Sequence, residues 1–349
     1  MKAALFYGGA DIRVETVPTP EPGPGEVLVR VLAAGICGSD LHGYRGNRPP
    51  TPGGPRLNGH ELAGEVVAVG PEVTTLKVGQ RVGVEPRHLI GCGVCRFCRR
   101  GDYHLCAYLG QRNGKQVHST GFAEYSLEDA AKVFPLPDHV SIEDASILDV
   151  YSCGVHALHL APVTPMDSVV VYGAGAIGLT AAEVYAKAGA RQVIVLANRP
   201  HTLAAAEKLG MTAIDVTVCD PVEAVQDLTG GQGVEVVVEA VGGRGATFEP
   251  ALQMAATGGK VVFIGMYSQP QALNMRLIHR REVSLHPCWS YALWNGVPEF
   301  KIALDMLADG LLQPQVLITH RFSLDEIGAG FAAADDKGNS NAIKVVINP

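Results

Sequence analysis

The chain has 349 residues, 47% of them apolar, and a formal charge of −7. That length and apolar content support two domains with sizeable cores, and the acidic balance without a long basic run excludes broad electrostatic attraction to nucleic acid. No apolar run reaches the roughly 20 residues of a membrane helix: the stretch from Ala145 to Val163 is broken by Asp149, His156 and His159. Met1 to Phe6 enters a strand-like pattern without the features of a secretory signal, so the expected setting is the cytoplasm.

Up to about residue 150, short apolar runs such as Val27 to Ala34 and Glu61 to Val69 are separated by Gly and Pro, with Pro/Gly-rich turns at Pro18 to Gly25 and Pro49 to Pro55. This pattern predicts an antiparallel, barrel-like domain. From Ser168 the pattern changes to alternating strand and helix: Val169 to Tyr172, a helix from Ala176, Val193 to Leu196, a helix from His201, Val234 to Glu239 and Val261 to Ile264. That alternation predicts a doubly wound parallel sheet, so the fold class is α/β. Beyond Tyr291, a helix over Val297 to Ala308, a capping box at Ser323 to Glu326 and a strand over Ile343 to Ile347 break the alternation, and this tail is expected to rejoin the first domain. The expected division is 1–153, 154–290 and a returning segment 291–349.

Val169 to Tyr172 runs directly into Gly173-Ala174-Gly175-Ala176-Ile177-Gly178 and a helical pattern, the context a dinucleotide fingerprint requires. Gly173 serves the tight turn, Gly175 the approach of the pyrophosphate, and Gly178 the packing of helix on sheet, with Ala176 and Ile177 opening the helix. About twenty residues on, an NAD enzyme carries a carboxylate for the adenosine ribose; this chain has Ala197-Asn198-Arg199. Without that charge, and with a guanidinium fork suited to a phosphate, NADP is expected over NAD. The competing reading is that Arg199 is a solvated loop residue.

Four of the eight cysteines, Cys92, Cys95, Cys98 and Cys106, fall in one short segment of about 91–107. Four thiolates complete a closed tetrahedral zinc site, whose role is to stiffen a glycine-rich loop. A second donor set comes from separated segments: Cys37, His60 with Glu61, and Asp149. A thiolate, an imidazole and a carboxylate leave a fourth position open for a substrate oxygen, as catalysis needs.

With Gly-Ile-Cys-Gly-Ser-Asp at 35–40, Gly-His-Glu at 59–61, Val-Gly-Gln-Arg-Val at 78–82, the four-cysteine lobe, the glycine fingerprint and the closing strand, all in this order, the sequence resembles the zinc-containing medium-chain alcohol dehydrogenases. These include the sorbitol and threonine dehydrogenases, and the resemblance covers nearly the whole chain. It implies a GroES-like, mostly antiparallel β catalytic domain joined to a Rossmann domain, with the active site between them and two zinc ions per chain. Cys37 and His60 match the first two catalytic zinc ligands, and Glu61 matches a carboxylate behind the metal that in some members binds it. Asp149 has the spacing to Gly154-Val155-His156 at which other members place an acidic third ligand, with Cys153 as its rival. Ser39 matches the proton acceptor and His42 the group that passes the proton to solvent.

The resemblance further implies a homodimer or homotetramer acting on a small-molecule substrate, an alcohol or its ketone. The substrate class expected is a secondary alcohol, diol or polyol, interconverted with its ketone by NADP(H). Tyr44, Trp289, Tyr291 and Trp294 are candidates for a substrate pocket or for ordinary core positions. Ser290 stands where sorbitol-like members carry arginine, which weakens a sorbitol-specific reading. Two other readings are a zinc-free reductase of the same superfamily, which would lack Cys37, His60 and the lobe, and a non-enzymatic NADPH-binding sensor.

Overall fold

The computed structural model describes residues 1–46 and 55–349; of the expected turn at Pro49 to Pro55, only Pro55 lies among them. The chain forms two compact units. One gathers Met1–Asp149, Asn295–Gly310 and Ile318–Pro349; the other gathers Val150–Trp294 and Leu311–Leu317.

In the first unit the strand Glu26–Gly35 is the organising element, because its valines and alanines bury almost every side chain. It pairs antiparallel with Glu61–Val69, with Tyr125–Asp129 and with the C-terminal strand Lys344–Asn348. The sheet continues from Glu61–Val69 to Arg81–Val84 and Val133–Pro135, and from Lys344–Asn348 to Ile318–Ser323 through a parallel pairing. A strand from the tail thus sits inside a sheet built mostly by the first 135 residues. The core beneath it holds Val27, Val29, Leu62, Val66, Val84, Phe122 and Ile347. Phe331, fully buried, meets the rings of Phe6, Tyr44 and Phe122 at 5.3, 5.5 and 5.5 Å; cutting such a phenylalanine to alanine costs about 3–5 kcal/mol.

Buried charges tie the cysteine segment to this sheet. Arg87 donates to Asp129 at 2.9 Å and to Glu26, Arg112 also pairs with Asp129, and Tyr103 donates to Glu85 at 2.6 Å beside Lys132. Each charge is compensated, as burial demands.

The second unit is a six-stranded, all-parallel sheet ordered Thr212–Asp215, Gln192–Ala197, Ser168–Tyr172, Val234–Glu239, Ala255–Phe263, Ser284–Pro287. Winding starts at Ser168–Tyr172, runs to one edge, then reverses to the other side at Val234–Glu239, which is the doubly wound arrangement. Val169, Val170 and Val171 are fully buried, as expected for a strand covered on both faces.

The two outermost strands were not foreseen. Thr212–Asp215 and Ser284–Pro287 are half-exposed edges and lack the continuous apolar run that marks the central strands. The helix expected from Val297 begins at Glu299, because Pro298 is its N-cap and holds extended backbone with ψ 131°. No helix among the described residues is long and apolar enough to cross a membrane.

Candidate active site

Pairing register builds the first donor group. Gly35 stands opposite Glu61 in the sheet, so Cys37, just past the end of one strand, meets His60 and Glu61 at the start of the other. The Cys37 sulfur, a ring nitrogen of His60 and a carboxylate oxygen of Glu61 lie within 4.8 Å of one another. Cys37 caps the helix Gly38–Tyr44, and its amide donates to Asp40 Oδ2 at 2.9 Å; Asn58 Nδ2 holds the other Asp40 oxygen at 3.2 Å. Asp40 is therefore a fixed carboxylate, 3.9 Å from His60 Nδ1.

Glu61 is fully buried, and among the described residues its Oε1 accepts no hydrogen bond. Its Oε2 faces the ammonium of Lys344, which is also buried and donates to Ile36 O at 3.1 Å. Burial opposes charge on Lys344, but Glu61 and Cys37 outweigh it and hold its pKa above the ordinary value. Burial likewise opposes charge on His60, and Cys37, Asp40 and Asp149 together raise its pKa well above the ordinary value. The pocket is thus short of positive charge, with an orphaned carboxylate oxygen beside a thiol and an imidazole. That donor set fits zinc.

Asp149, 8% exposed in the first turn of the helix Leu148–Leu160, places Oδ2 3.9 Å from His60 Nε2. Cys153, one turn on, belongs to the second unit, where its carbonyl accepts a long bond from Cys288 Sγ at 3.8 Å. Ser39 and His42 lie three apart on the helix Gly38–Tyr44, both half-buried, so they share a face.

Two histidines that the sequence reading passed over complete this wall. The His88 ring stands edge-on to His60 at 5.4 Å, and His118 follows at 6.5 Å from His88. Burial and its two histidine neighbours push His88 down to about 3, and burial with Arg56 and His60 lowers His118. Both therefore stand uncharged at neutral pH. No spacing rule links positions 60, 88 and 118; the folded sheet alone brings them together.

Of the four aromatic candidates, Tyr44 packs on Phe331, Tyr291 is 1% exposed, and Trp294 stacks on His159 at 4.8 Å. Only Trp289, 51% exposed, keeps a largely open face.

The four lobe cysteines also converge within 4.8 Å. Backbone amides aim at their sulfurs: Cys95 N at Cys92 Sγ (3.4 Å), Cys98 N at Cys95 Sγ (3.5 Å), and Cys92 N and Tyr108 N at Cys106 Sγ (3.4 and 3.3 Å). The amides of Val94 and Cys95 bring the Cys92 thiol down to about 6. None of the four is in a disulfide. Four cysteine sulfurs enclosing one point, three of them met by backbone amides, fit a closed, structural zinc site.

In the second unit, the turn after Ser168–Tyr172 carries Gly173 and Ala174, and Gly175 caps the 12-residue helix Ala176–Lys187. A Cβ on Gly178 would lie 1.8 Å from Gly173 O, so only glycine lets this helix pack against the turn. Ala176 and Ile177 open the helix, whose free amides and dipole form an anion site. Ala197 ends the neighbouring strand, Asn198 is exposed, and Arg199 caps the helix Pro200–Lys208. Among the described residues the Arg199 side chain makes no hydrogen bond or ion pair.

Comparison with known proteins matches this geometry. The alcohol dehydrogenase GroES-like domain family matches residues 23–138, and the zinc-binding dehydrogenase family matches residues 176–309. Sorbitol dehydrogenase of Bacillus subtilis (strain 168) is 34% identical, over 100% of this chain and 97% of that protein. A putative zinc-binding dehydrogenase from Sinorhizobium meliloti 1021, solved bound to NADP, superimposes with a TM-score of 0.87 at 30% identity over 100% of this chain and 99% of that one. The rspB alcohol dehydrogenase of Escherichia coli CFT073, solved with NADH, gives 0.88 at 28% identity over 100% of this chain and 99% of that one.

Fold and donor groups thus define a zinc-dependent oxidoreductase of the alcohol dehydrogenase type, with a GroES-like domain and a Rossmann domain. The chain belongs to the zinc-containing medium-chain alcohol dehydrogenase family. It is an alcohol or polyol dehydrogenase whose cofactor is a nicotinamide dinucleotide.

Proposed function

We propose that the enzyme interconverts a secondary alcohol, diol or polyol and its ketone by hydride transfer, with NADP(H) preferred over NAD(H). The observation that carries the reaction is the convergence of Cys37, His60 and Glu61 around one point. These three would hold the catalytic zinc, with Asp149 the next carboxylate at 3.9 Å from His60. When bound, zinc supplies Lewis acidity toward an alcohol or carbonyl oxygen. Ser39 takes up the hydroxyl proton, and His42, on the same face of its helix, returns it to solvent. His88 and His118, uncharged beside His60, offer polar contacts to further hydroxyls of a polyol. Cysteines that form no disulfide suit a cytoplasmic enzyme, and the family resemblance supports a homodimer or homotetramer.

The cofactor preference rests on Arg199. Its guanidinium stands at the end of the second Rossmann strand with no carboxylate at positions 197–199, where a 2′-phosphate would otherwise be repelled. The two related structures divide, one holding NADP and the other NADH. Titration of zinc-loaded protein by nicotinamide fluorescence should show NADPH binding about tenfold tighter than NADH, about 1.4 kcal/mol, with the preference collapsing in Arg199→Asp. Equal affinities, or tighter NADH, would reassign Arg199 as a loop residue and leave the dehydrogenase reading intact.

A further inference from the structure

Glu239 ends the strand Val234–Glu239, the first strand beyond the point where the winding reverses, and its side chain is fully buried. One carboxylate oxygen, Oε1, accepts three bonds: from Val241 N at 2.9 Å, Gly242 N at 3.0 Å and Thr247 Oγ1 at 2.7 Å. The other, Oε2, is buried without a hydrogen-bond partner among the described residues. It lies in a cradle that glycine keeps open, since a Cβ on Gly265 would fall 2.5 Å from that oxygen and 2.5 Å from Gly242 N.

This residue joins two loops. Its carbonyl accepts from Ile264 and Gly265, both at 3.0 Å, while its carboxylate holds the loop 240–247. The loops then bond to each other: Gly243 N to Met266 O and Ser268 N to Gly243 O, both at 2.9 Å, and the Thr247 and Tyr267 hydroxyls at 3.0 Å. A segment containing Gly242, Gly243 and Gly245 has high backbone entropy. Three bonds to one buried oxygen restrain it, alongside the bonds to the neighbouring loop. A buried carboxylate with an orphaned oxygen is costly, and a native fold that keeps one invites a functional explanation.

The held loop packs on the glycine turn. Ala240 N donates to Tyr172 O at 2.9 Å, and a Cβ on Gly173 would meet Val241 Cγ2 at 2.7 Å. Val241 is 45% exposed, an apolar side chain left open at the carboxyl end of the sheet. In a sheet wound this way the adenosine half of a dinucleotide lies toward the strand Gln192–Ala197 and the pyrophosphate at the turn. The nicotinamide half therefore falls over the strands Val234–Glu239 and Ala255–Phe263, where the loop stands.

We infer that Glu239 is a positioning residue for the nicotinamide half of the cofactor, acting by holding the loop 240–247 and Val241 against the Gly173 turn. This inference rests on the dinucleotide reading given above. The test is titration of the full-length, zinc-loaded protein with NADPH and NADH, and separately with AMP and 2′,5′-ADP, which carry only the adenosine half. Glu239→Ala should weaken the preferred dinucleotide by about tenfold, and Glu239→Gln, which keeps the acceptor, by no more than about threefold. Thr247→Val, a milder change that leaves the carboxylate in place, should weaken it by about threefold. Adenosine-half binding should stay within about twofold in all three. Parallel loss of both halves, or no loss in Glu239→Ala and Thr247→Val, would overturn the inference and leave Glu239 a structural residue. If the unsubstituted protein binds neither dinucleotide, the cofactor reading itself fails and this inference fails with it.

Discussion

Glu128 shows how far burial alone can move a carboxyl group. It is fully buried, and its oxygens accept from Ser126 Oγ at 2.5 Å and Ser119 Oγ at 3.0 Å. Burial raises its pKa from 4.5 to about 7, against the two serine hydroxyls and Arg87, which pull it down. A folded pKa above the unfolded one gives stability that is full below about pH 4.5 and is lost as pH rises through about 7. The loss is on the order of 3 kcal/mol, at about 1.4 kcal/mol per pKa unit. Glu128→Gln should therefore gain on the native protein between pH 5 and pH 8 in thermal unfolding. A difference in melting temperature that does not change with pH would exclude this account.

At the same scale, Cys37, His60 and Glu61 were legible because each sits in a short motif whose chemistry needs that residue type. Lys344, His88, His118 and Glu239 were not. The partners of Lys344, His88 and His118 lie far away in sequence and are met only through the folded sheet, while those of Glu239 are within eight residues but are met only because the loop folds back over its carboxylate.

Among the elements, the cysteine lobe has little packing of its own. It holds a four-residue helix, Arg96–Arg99, and one 3-10 turn, Tyr103–Leu105, while Val94, Leu105 and Tyr108 are exposed. A metal supplies what a core does not, about 10–16 kcal/mol for structural zinc in small domains. Cys98→Ser is expected to hold about one zinc fewer per chain and to be cut by trypsin at Arg96, Arg99 or Arg100, while dinucleotide titration is unchanged. Resistance to trypsin at those arginines would show that the lobe holds without its metal.

The lobe was legible from spacing, and so were the central Rossmann strands, whose two buried faces write a continuous apolar run. The edge strands Thr212–Asp215 and Ser284–Pro287 were not, because only one flank of each is paired and half of each is wet.

For the molecule as a whole, the first unit is discontinuous: its sheet takes two strands from the tail, Ile318–Ser323 and Lys344–Asn348. The sequence hinted at this return by breaking the strand-helix alternation, but nothing in it said that Lys344 would meet Glu61. A chain stopped after Ala342 loses both the partner of Glu61 and the strand beside Glu26–Gly35. It is expected to aggregate through the uncovered edge and to retain about one zinc per chain, in the lobe. Two zinc ions and a monodisperse product would show that the tail strand is dispensable.

That the tail strand lies beside Glu26–Gly35 also sets an order of events on the ribosome. Gly35 pairs with Val346, so the first sheet cannot close until some 300 further residues have emerged, whereas the second unit needs almost nothing beyond Trp294. At roughly 5–20 residues per second, the N-terminal strands wait about 15–60 s with an open edge while the later-made unit has already had its sequence completed. The half of the enzyme that is synthesised first is thus the half that matures last, and the buried Glu61–Lys344 pair forms only after the nascent chain has delivered residue 344.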